Sequence, residues 1–335
     1  MKPHRWRKLI AAGEDDPMTA PTELLDRARS GDQAAFGRLV SPHRDELRAH
    51  CYRMLGSLHD AEDAVQDSLV RAWRSVGTLD ERGHIRAWLY KIATNRCLTA
   101  LHHRARRELP VDLTADRVSA EISWLEPYPG PSPETDYLSR ESVELAFIAA
   151  VQRLTASQRA VLILREVLGF SAGEVAAQLD TTTASVNSAL QRARKAIDSG
   201  ARSQQSVMRE MGETAVGQIV DRWMNAWQDG DVETIVALLA QDAKFSMPPM
   251  PQWFEGRDQI RSFLLDGPLL SRWRFLPTTS NGQVAFGTYL WEETATVFVP
   301  GGLDVLTICE GGITAVTSFL DADFSAFGLP TAVAG

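Results

Sequence analysis

Several features are scarce in this sequence of 335 residues, and each scarcity excludes a class of protein. The three cysteines, Cys51, Cys97 and Cys309, lie far apart and form neither an even disulfide set nor a zinc-ligand pattern. No apolar run approaches the roughly 18 residues that a membrane-spanning helix needs. Residues 1–17 lack the apolar core and cleavage pattern of a secretion signal. We therefore expect a cytoplasmic protein that does not contact membranes, and we expect residues 1–17 to be a disordered extension.

Acidic residues are missing from one long stretch, although the net charge of the chain is −8. Between residues 82 and 107, seven Lys or Arg occur without a single Asp or Glu. Residues 18–107 carry 15 Lys or Arg against 11 Asp or Glu, whereas residues 213–335 carry 6 against 15. The acidity is thus concentrated in the C-terminal third and in a Pro-rich stretch at 108–139. An acidic total is therefore compatible with a nucleic-acid partner for the first 200 residues.

Residues 155–197 have the pattern of three helices with recognisable start signals. Thr155 with Gln158, and Ser171 with Glu174, fit the capping box, in which the N-cap and N3 side chains each bond the other residue's amide. These boxes predict where two of the helices begin.

The last two of these helices are predicted to form a helix-turn-helix. Asp180 lies in the tight turn, and Val186, Leu190 and Ala193 recur at helical spacing on the buried side of the second helix. The outer face offers amides, hydroxyls and cations, which suit base edges and phosphates: Thr183, Ser185, Asn187, Ser188, Gln191, Arg192, Arg194 and Lys195. An ordinary helical hairpin with a solvated basic face is the alternative.

Two further helical faces precede this region. A predicted helix at 58–76 carries an acidic and amide stripe formed by Asp60, Glu62, Asp63, Gln66 and Asp67. Acidic residues in a first turn can simply complement the helix dipole, but this explains Gln66 and Asp67 less well.

The stretch without acids follows this helix. It combines cations, an amide and aromatic residues, which suits a strand backbone and stacked bases. A solvated basic face is the alternative. The candidate contacts are Arg82, His84, Arg86, Lys91, Asn95, Arg96 and Thr99.

Three runs resemble the conserved regions of an extracytoplasmic-function (ECF) sigma factor: DAEDAVQDSLVRAW, HIRAWLYKIATNRCLTALHHRAR and LTASQRAVLILREVLGFSAGEVAAQLDTTTASVNSALQRARKAI. The resemblance covers about Thr22 to Gly200. It implies core RNA polymerase as a partner, bound through the β′ clamp helices at the 60–67 face and through the β flap. It also implies promoter DNA, read at −10 by residues 77–107 and at −35 by the helix-turn-helix. Asp180 departs from the family pattern, which often has Gly in the turn.

The C-terminal third changes character, because strand-like runs follow its helices. Gly282, Gly301-Gly302 and Gly311-Gly312 are predicted hairpin turns, and the order of elements favours an α+β cone. The runs WMNAWQDGDVETIVALLAQDAKFSMPP, WFEGRDQIRSFL and VTSFLDADFSAFGLP resemble the SnoaL-like polyketide cyclase and ketosteroid isomerase superfamily.

Cones of this superfamily enclose an apolar pocket, which would bind a small hydrophobic ligand. The candidate lining residues are aromatic, with plain core packing as the alternative: Trp223, Trp227, Phe245, Trp253, Phe263 and Trp291. Catalysis in the cone is the less favoured reading, since all seven histidines lie at or before His103. The acids that remain as candidates are Asp221, Asp242, Asp304 and Asp321. We expect no cofactor and no metal.

The sequence thus predicts a multidomain chain with two all-α domains that bind polymerase and DNA, followed by an α+β cone of SnoaL-like type. The predicted order is an extension at 1–17, sigma region 2 at 18–107, a linker at 108–139, sigma region 4 at 140–200, a connector at 201–212 and the cone at 213–330. The predicted function is a transcription initiation factor, not an enzyme, whose cone regulates it. A ligand-responsive helix-turn-helix regulator acting without polymerase is the alternative, followed by a cyclase-like or isomerase-like enzyme.

Overall fold

The structure, a computed structural model, describes residues 21–79, 85–107, 125–129, 144–197 and 203–335. The predicted extension, the side chains of Arg82 and His84 and most of the predicted linker lie outside these ranges. The chain divides into two compact units. The first holds the helices up to residue 107 together with those of 154–195, and the second holds the remaining described helices and the sheet.

The first unit begins with a group of helices whose breaks follow the local sequence. They are α1 Pro21–Arg29, α2 Gln33–Val40, α3 Arg44–Leu55, α4 Leu58–Ser75 and α5 Ile85–Arg107. A 3₁₀ turn at Ser41–His43 separates α2 from α3 and contains Pro42, which cannot supply a helical N–H. The helical run is therefore interrupted at this proline.

The remaining helices of this unit confirm the predicted helix starts. They are α7 Ala156–Leu162, which continues as a π-helical turn at Ile163–Val167, α8 Ala172–Gln178 and α9 Thr183–Ile197. Both capping boxes are formed, at Thr155 and at Ser171. Asp180, between α8 and α9, has a φ of +49°. Aspartate adopts this left-handed conformation more readily than most residues, which lets it replace glycine in the turn.

The second unit has its own helices: α6 Leu145–Gln152, α10 Gln204–Met211, α11 Glu213–Asp229, α12 Val232–Leu238 and α13 Arg257–Asp266. The pair α11 and α12 is joined by a turn at Gly230, whose φ is +69°. Helix α13 begins directly after Gly256.

One sheet forms the rest of the second unit, with strands β1 Leu239–Ser246, β2 Trp253–Glu255, β3 Trp273–Ser280, β4 Gln283–Glu292, β5 Val297–Cys309, β6 Gly312–Phe319 and β7 Val333–Ala334. The strand order is β2-β1-β6-β5-β4-β3, with β7 paired to β5. Strands β1 and β6 are parallel, and the other pairs are antiparallel. Side chains alternate across a strand, so Phe286 packs in one core cluster with the helices and its neighbour Ala285 in a second cluster.

The double glycine at Gly301-Gly302 was predicted to be a hairpin turn, and this prediction was wrong. Strand β5 runs through it, and the chain turns earlier, at 293–296. A Cβ on Gly301 would meet the Trp273 ring at 2.7 Å, and one on Gly302 would meet Ser318 Oγ at 3.0 Å. Both glycines therefore allow neighbouring groups to approach the strand closely. The predicted turns at Gly282 and at Gly311-Gly312 are confirmed.

Part of the predicted linker packs within the second unit. The backbone N–H of Tyr128 donates to Oδ1 of Asn281 at 2.9 Å, and its carbonyl oxygen accepts from the N–H of Asn281 at 2.8 Å. Pro129 forms a β-bridge with Ser280. Residues 125–129 are therefore fixed to the β3–β4 hairpin.

Helix α6 also belongs to the second unit, although it lies in the predicted range 140–200. Glu144, 4% exposed, precedes α6 and accepts hydrogen bonds from the Ser203 hydroxyl and from the backbone N–H groups of Gln204 and Gln205. The N–H of Leu145 donates to Oε1 of Gln283 on β4 at 2.9 Å. A carboxylate at the N-terminus of α10 satisfies amides that have no partner within the helix.

Candidate nucleic-acid interface

The predicted acidic face lies on α4, and all five of its side chains are exposed. The opposite side of α4 buries Val65, Leu69 and Ala72, so the amphipathic pattern fixes which side faces solvent. Asp67 pairs with Arg96 of α5, with 2.8 Å between Oδ2 and Nε.

The next predicted face lies on α5, whose buried side includes Leu89, Ala93 and Cys97. Asn95 and Thr99 are exposed. The three cations that the structure describes on this face are partly buried and paired: Arg86 with Glu46 at 3.0 Å, Lys91 with Asp180 at 3.0 Å and Arg96 with Asp67 at 2.8 Å. This face is therefore open at its amide and hydroxyl side chains, whereas these cations are occupied.

Helix α9 carries the third predicted face. Val186, Leu190 and Ala193 are buried, as predicted. The eight polar side chains predicted to face outward are all exposed, which leaves a continuous surface of hydroxyls, amides and cations. Arg194 makes an ion pair with Glu166, with 2.7 Å between Nη2 and Oε1.

Two buried groups that hold the first unit together were missed by sequence reasoning. Arg159 is 5% exposed and donates to the carbonyl oxygens of Met54 and Leu154. His50 lies 2.9 Å from the Thr94 hydroxyl and joins α3 to α5. Burial, together with the nearby Arg53 charge, lowers the pKa of His50 to about 3, so the ring is neutral at pH 7. Neither residue lies in a pattern that separates it from surface Arg and His.

Four of the six predicted pocket residues lie in or against one core cluster, and two do not. Trp223, Trp227 and Phe245 are buried in the helix-side core cluster, and Phe263 packs against it. The other two lie elsewhere: Trp291 packs against the second cluster, and Trp253 is 48% exposed, with its ring 5.7 Å from Lys244 Nζ. The aromatic residues of the cone thus form core and surface rather than one common lining.

Of the four candidate acids in the cone, only Asp304 is buried. It lies on β5 opposite Phe286 and Ser318. Burial raises the pKa of Asp304 to about 7, and a hydrogen bond with Ser318 partly offsets that rise.

Among the described residues, no three His, Cys, Asp or Glu side chains are grouped so that they could hold a metal ion. Within the same residues, each helix is too short or too polar to cross a lipid bilayer.

Comparison with known proteins identifies the family. Three family models match: Sigma-70 region 2 over residues 39–107, Sigma-70 region 4 over 144–197 and the SnoaL-like domain over 220–316. The ECF RNA polymerase sigma factor SigG of Mycobacterium tuberculosis is 39% identical over 319 residues, which covers 90% of this chain and 85% of SigG. The chain belongs to the ECF sigma factors. The family and the fold class predicted from the sequence are thus confirmed.

Further relatives agree with this assignment. The ECF sigma factor SigE of Mycolicibacterium smegmatis is 34% identical over 187 residues, covering 54% of this chain and 68% of SigE. Among solved structures, the ECF sigma factor SigJ of M. tuberculosis matches with a TM-score of 0.59 at 24% identity, covering 86% of this chain and 98% of SigJ, and so supports the fold. As an ECF sigma factor, the chain binds core RNA polymerase and directs it to specific promoters, and it is not an enzyme.

Proposed function

We propose that each of the three exposed faces performs one step of promoter recognition. The α4 face, Asp60, Glu62, Asp63, Gln66 and Asp67, docks on the β′ clamp helices of core polymerase, and the helix-turn-helix also meets the β flap. This proposal is supported by the exposure of all five side chains on one side of α4, whose opposite side is buried.

Helix α5 and the loop before it bind the melted −10 strand. Asn95 and Thr99 are exposed there, and the neighbouring cations suit a phosphate backbone. Arg82 and His84, which precede α5 in the sequence, are proposed on sequence grounds to join this site.

Helix α9 reads the −35 element, and it carries the observation on which the proposal chiefly depends. All eight polar side chains from Thr183 to Lys195 are exposed while the apolar stripe of the same helix is buried. A recognition helix in the major groove needs this arrangement, because its amides and hydroxyls meet base edges and its cations meet phosphates.

We further propose that the cone regulates initiation, either by contacting polymerase, by masking the basic faces or by binding a small hydrophobic ligand. Its 6 Lys or Arg against 15 Asp or Glu favour electrostatic masking, which salt would weaken. The hydrogen bonds of Tyr128 and of Glu144 give the cone a physical connection to the linker and to region 4. These steps take place in the cytoplasm, where polymerase meets the promoter.

The test is promoter-specific run-off transcription by core polymerase with the full-length chain. With core polymerase, the full chain is expected to produce transcripts that start at one defined site. Sequencing of these run-off products identifies the promoter. Asn187→Ala with Gln191→Ala should abolish most of this transcription, whereas Arg222→Ala, an exposed cation on α11, should leave it unchanged. A chain that never yields a defined start site with core polymerase would rule out this assignment.

A further inference from the structure

Two cations of α5 contact the segment from Phe170 to Asp180, which contains the first helix and the turn of the helix-turn-helix, within the first unit. Nζ of Lys91 lies 3.0 Å from Oδ1 of Asp180 and 3.0 Å from the carbonyl oxygen of Ala177. The guanidinium carbon of Arg86 lies 5.3 Å from the ring centre of Phe170. One ammonium is thus bound by two oxygens, and one guanidinium, which also pairs with Glu46, lies over an aromatic ring.

A single strand of nucleic acid offers the same two kinds of interaction. A Lys ammonium binds the oxygens of a phosphate, and an Arg guanidinium stacks on the face of an unpaired base. In the folded chain, a carboxylate with a carbonyl takes the place of the phosphate, and the Phe170 ring takes the place of the base.

The turn does not need a carboxylate for its own geometry. Asp180 has a φ of +49°, a conformation that Gly or Asn also provides. What the carboxylate adds is its contact with Lys91. Phe170 is 6% exposed, and its ring centre lies 5.5 Å from that of Tyr90 on α5. The Phe170 ring therefore packs against α5 as well as lying near Arg86.

We propose that the helix-turn-helix imitates a nucleic-acid strand on α5, so that a melted promoter strand and the segment from Phe170 to Asp180 compete for Lys91 and Arg86. This inference rests on the proposed role of α5 in strand binding. The Lys91 and Asp180 side chains are 40% and 78% exposed, so water and salt screen their pair. A strand that brings many phosphates can therefore displace it, and in the free chain the contact lowers the affinity for single strands.

The test measures the affinity of the full-length chain for labelled oligothymidylate of about 20 nucleotides, a strand long enough to cover one binding site. Asp180→Asn keeps the turn and removes the charge. Asp45→Asn, on an α3 side chain that is 76% exposed, removes the same charge from elsewhere in the unit and is the matched control. Phe170→Leu removes the stacked ring and keeps an apolar side chain.

Asp180→Asn is expected to raise the affinity about 1.5- to 5-fold at low salt, the range for an exposed ion pair, and the gain should disappear at high salt. Phe170→Leu should also raise it. The inference is overturned if Asp180→Asn binds no better than Asp45→Asn and Phe170→Leu binds like the unsubstituted chain. Failure of the α5 proposal is distinguishable, because Lys91→Ala would then leave oligothymidylate binding unchanged.

Discussion

Arg96 on α5 and Asp67 on α4 form an ion pair in which Nε lies 2.8 Å from Oδ2. The pair joins the face proposed for polymerase binding to the face proposed for the −10 strand. If both proposed roles hold, polymerase docking at Asp67 acts on a cation that a promoter strand would use, and the two binding events share this side-chain contact.

The first prediction concerns this pair. Asp67→Asn should weaken binding to core polymerase, because it removes a charge from the docking face. The free energy of unfolding should change by less than about 1 kcal/mol, since the Asp67 side chain is 54% exposed and surface ion pairs contribute little. Titration of core polymerase and thermal melting of the full chain measure the two effects. Asp26→Asn, on α1, is the control; equal core affinity for both variants would contradict the docking role.

A second prediction separates base reading from phosphate contact on α9. Gln191→Ala should cost about 1–3 kcal/mol of promoter binding at a single base position and relax the preference there. Arg192→Ala should instead weaken binding to all sequences alike and reduce its salt dependence. Competition of holoenzyme between promoters that differ at one −35 position makes the comparison. If both variants lose affinity uniformly, Gln191 does not read a base.

Asp304 gives a prediction about pH. Its pKa of about 7 in the folded chain lies above its ordinary value of 3.8, so the neutral acid is the form that the fold accommodates. As pH rises from about 4 to about 7, the unfolded chain releases this proton first, and the folded state loses stability, by a few kcal/mol in total. Above about pH 7 both states are ionised, and the loss levels off.

Asp304→Asn should remove this dependence, because the amide has the shape of the protonated acid and stays neutral. Urea unfolding of the full chain, followed by tryptophan fluorescence between pH 5 and 8, measures it. The variant should exceed the unsubstituted chain in stability at pH 8 and approach it at pH 5. Parallel curves for the two proteins would show that Asp304 does not titrate in this range.

Glu144 provides the fourth prediction. Glu144→Ala should lower the free energy of unfolding by about 1–3 kcal/mol, because it leaves the buried amide of Gln204 and the partly buried amide of Gln205 without their acceptor. Glu210→Gln, an exposed change on the same helix α10, should cost less than about 0.5 kcal/mol. Urea unfolding compares them. A loss no larger for Glu144→Ala than for Glu210→Gln would show that the cap is unimportant.

Local signals in the sequence were enough to predict the helix-turn-helix. The capping boxes at Thr155 and Ser171 and the left-handed Asp180 depend on neighbouring residues, and all are formed. The exposed side of α9 follows from helical spacing for the same reason. The turn at Gly282 was also predictable, because its signal is local.

Long-range packing decided the features that could not be predicted. Gly301 and Gly302 have the composition of a turn, but the Trp273 ring and Ser318 need the space above them in β5. Asp304 could not be told from Asp221 by its neighbours in sequence, since its burial depends on strands that pair across the sheet. The docking of Tyr128 on Asn281 joins residues 153 positions apart, which no short window reveals.

The hydrogen bonds of Glu144, just before α6, restrict where the sequences of two relatives can be joined in a fusion. A fusion joint placed at residues 201–202, between the two family models, would separate Glu144 from the three donors that it binds. A joint upstream of Glu144 would keep those bonds within one parental sequence. The segment that can be exchanged intact between relatives therefore begins upstream of Glu144 and ends with the cone, so that the whole region 4 match at 144–197 is inherited with the C-terminal domain.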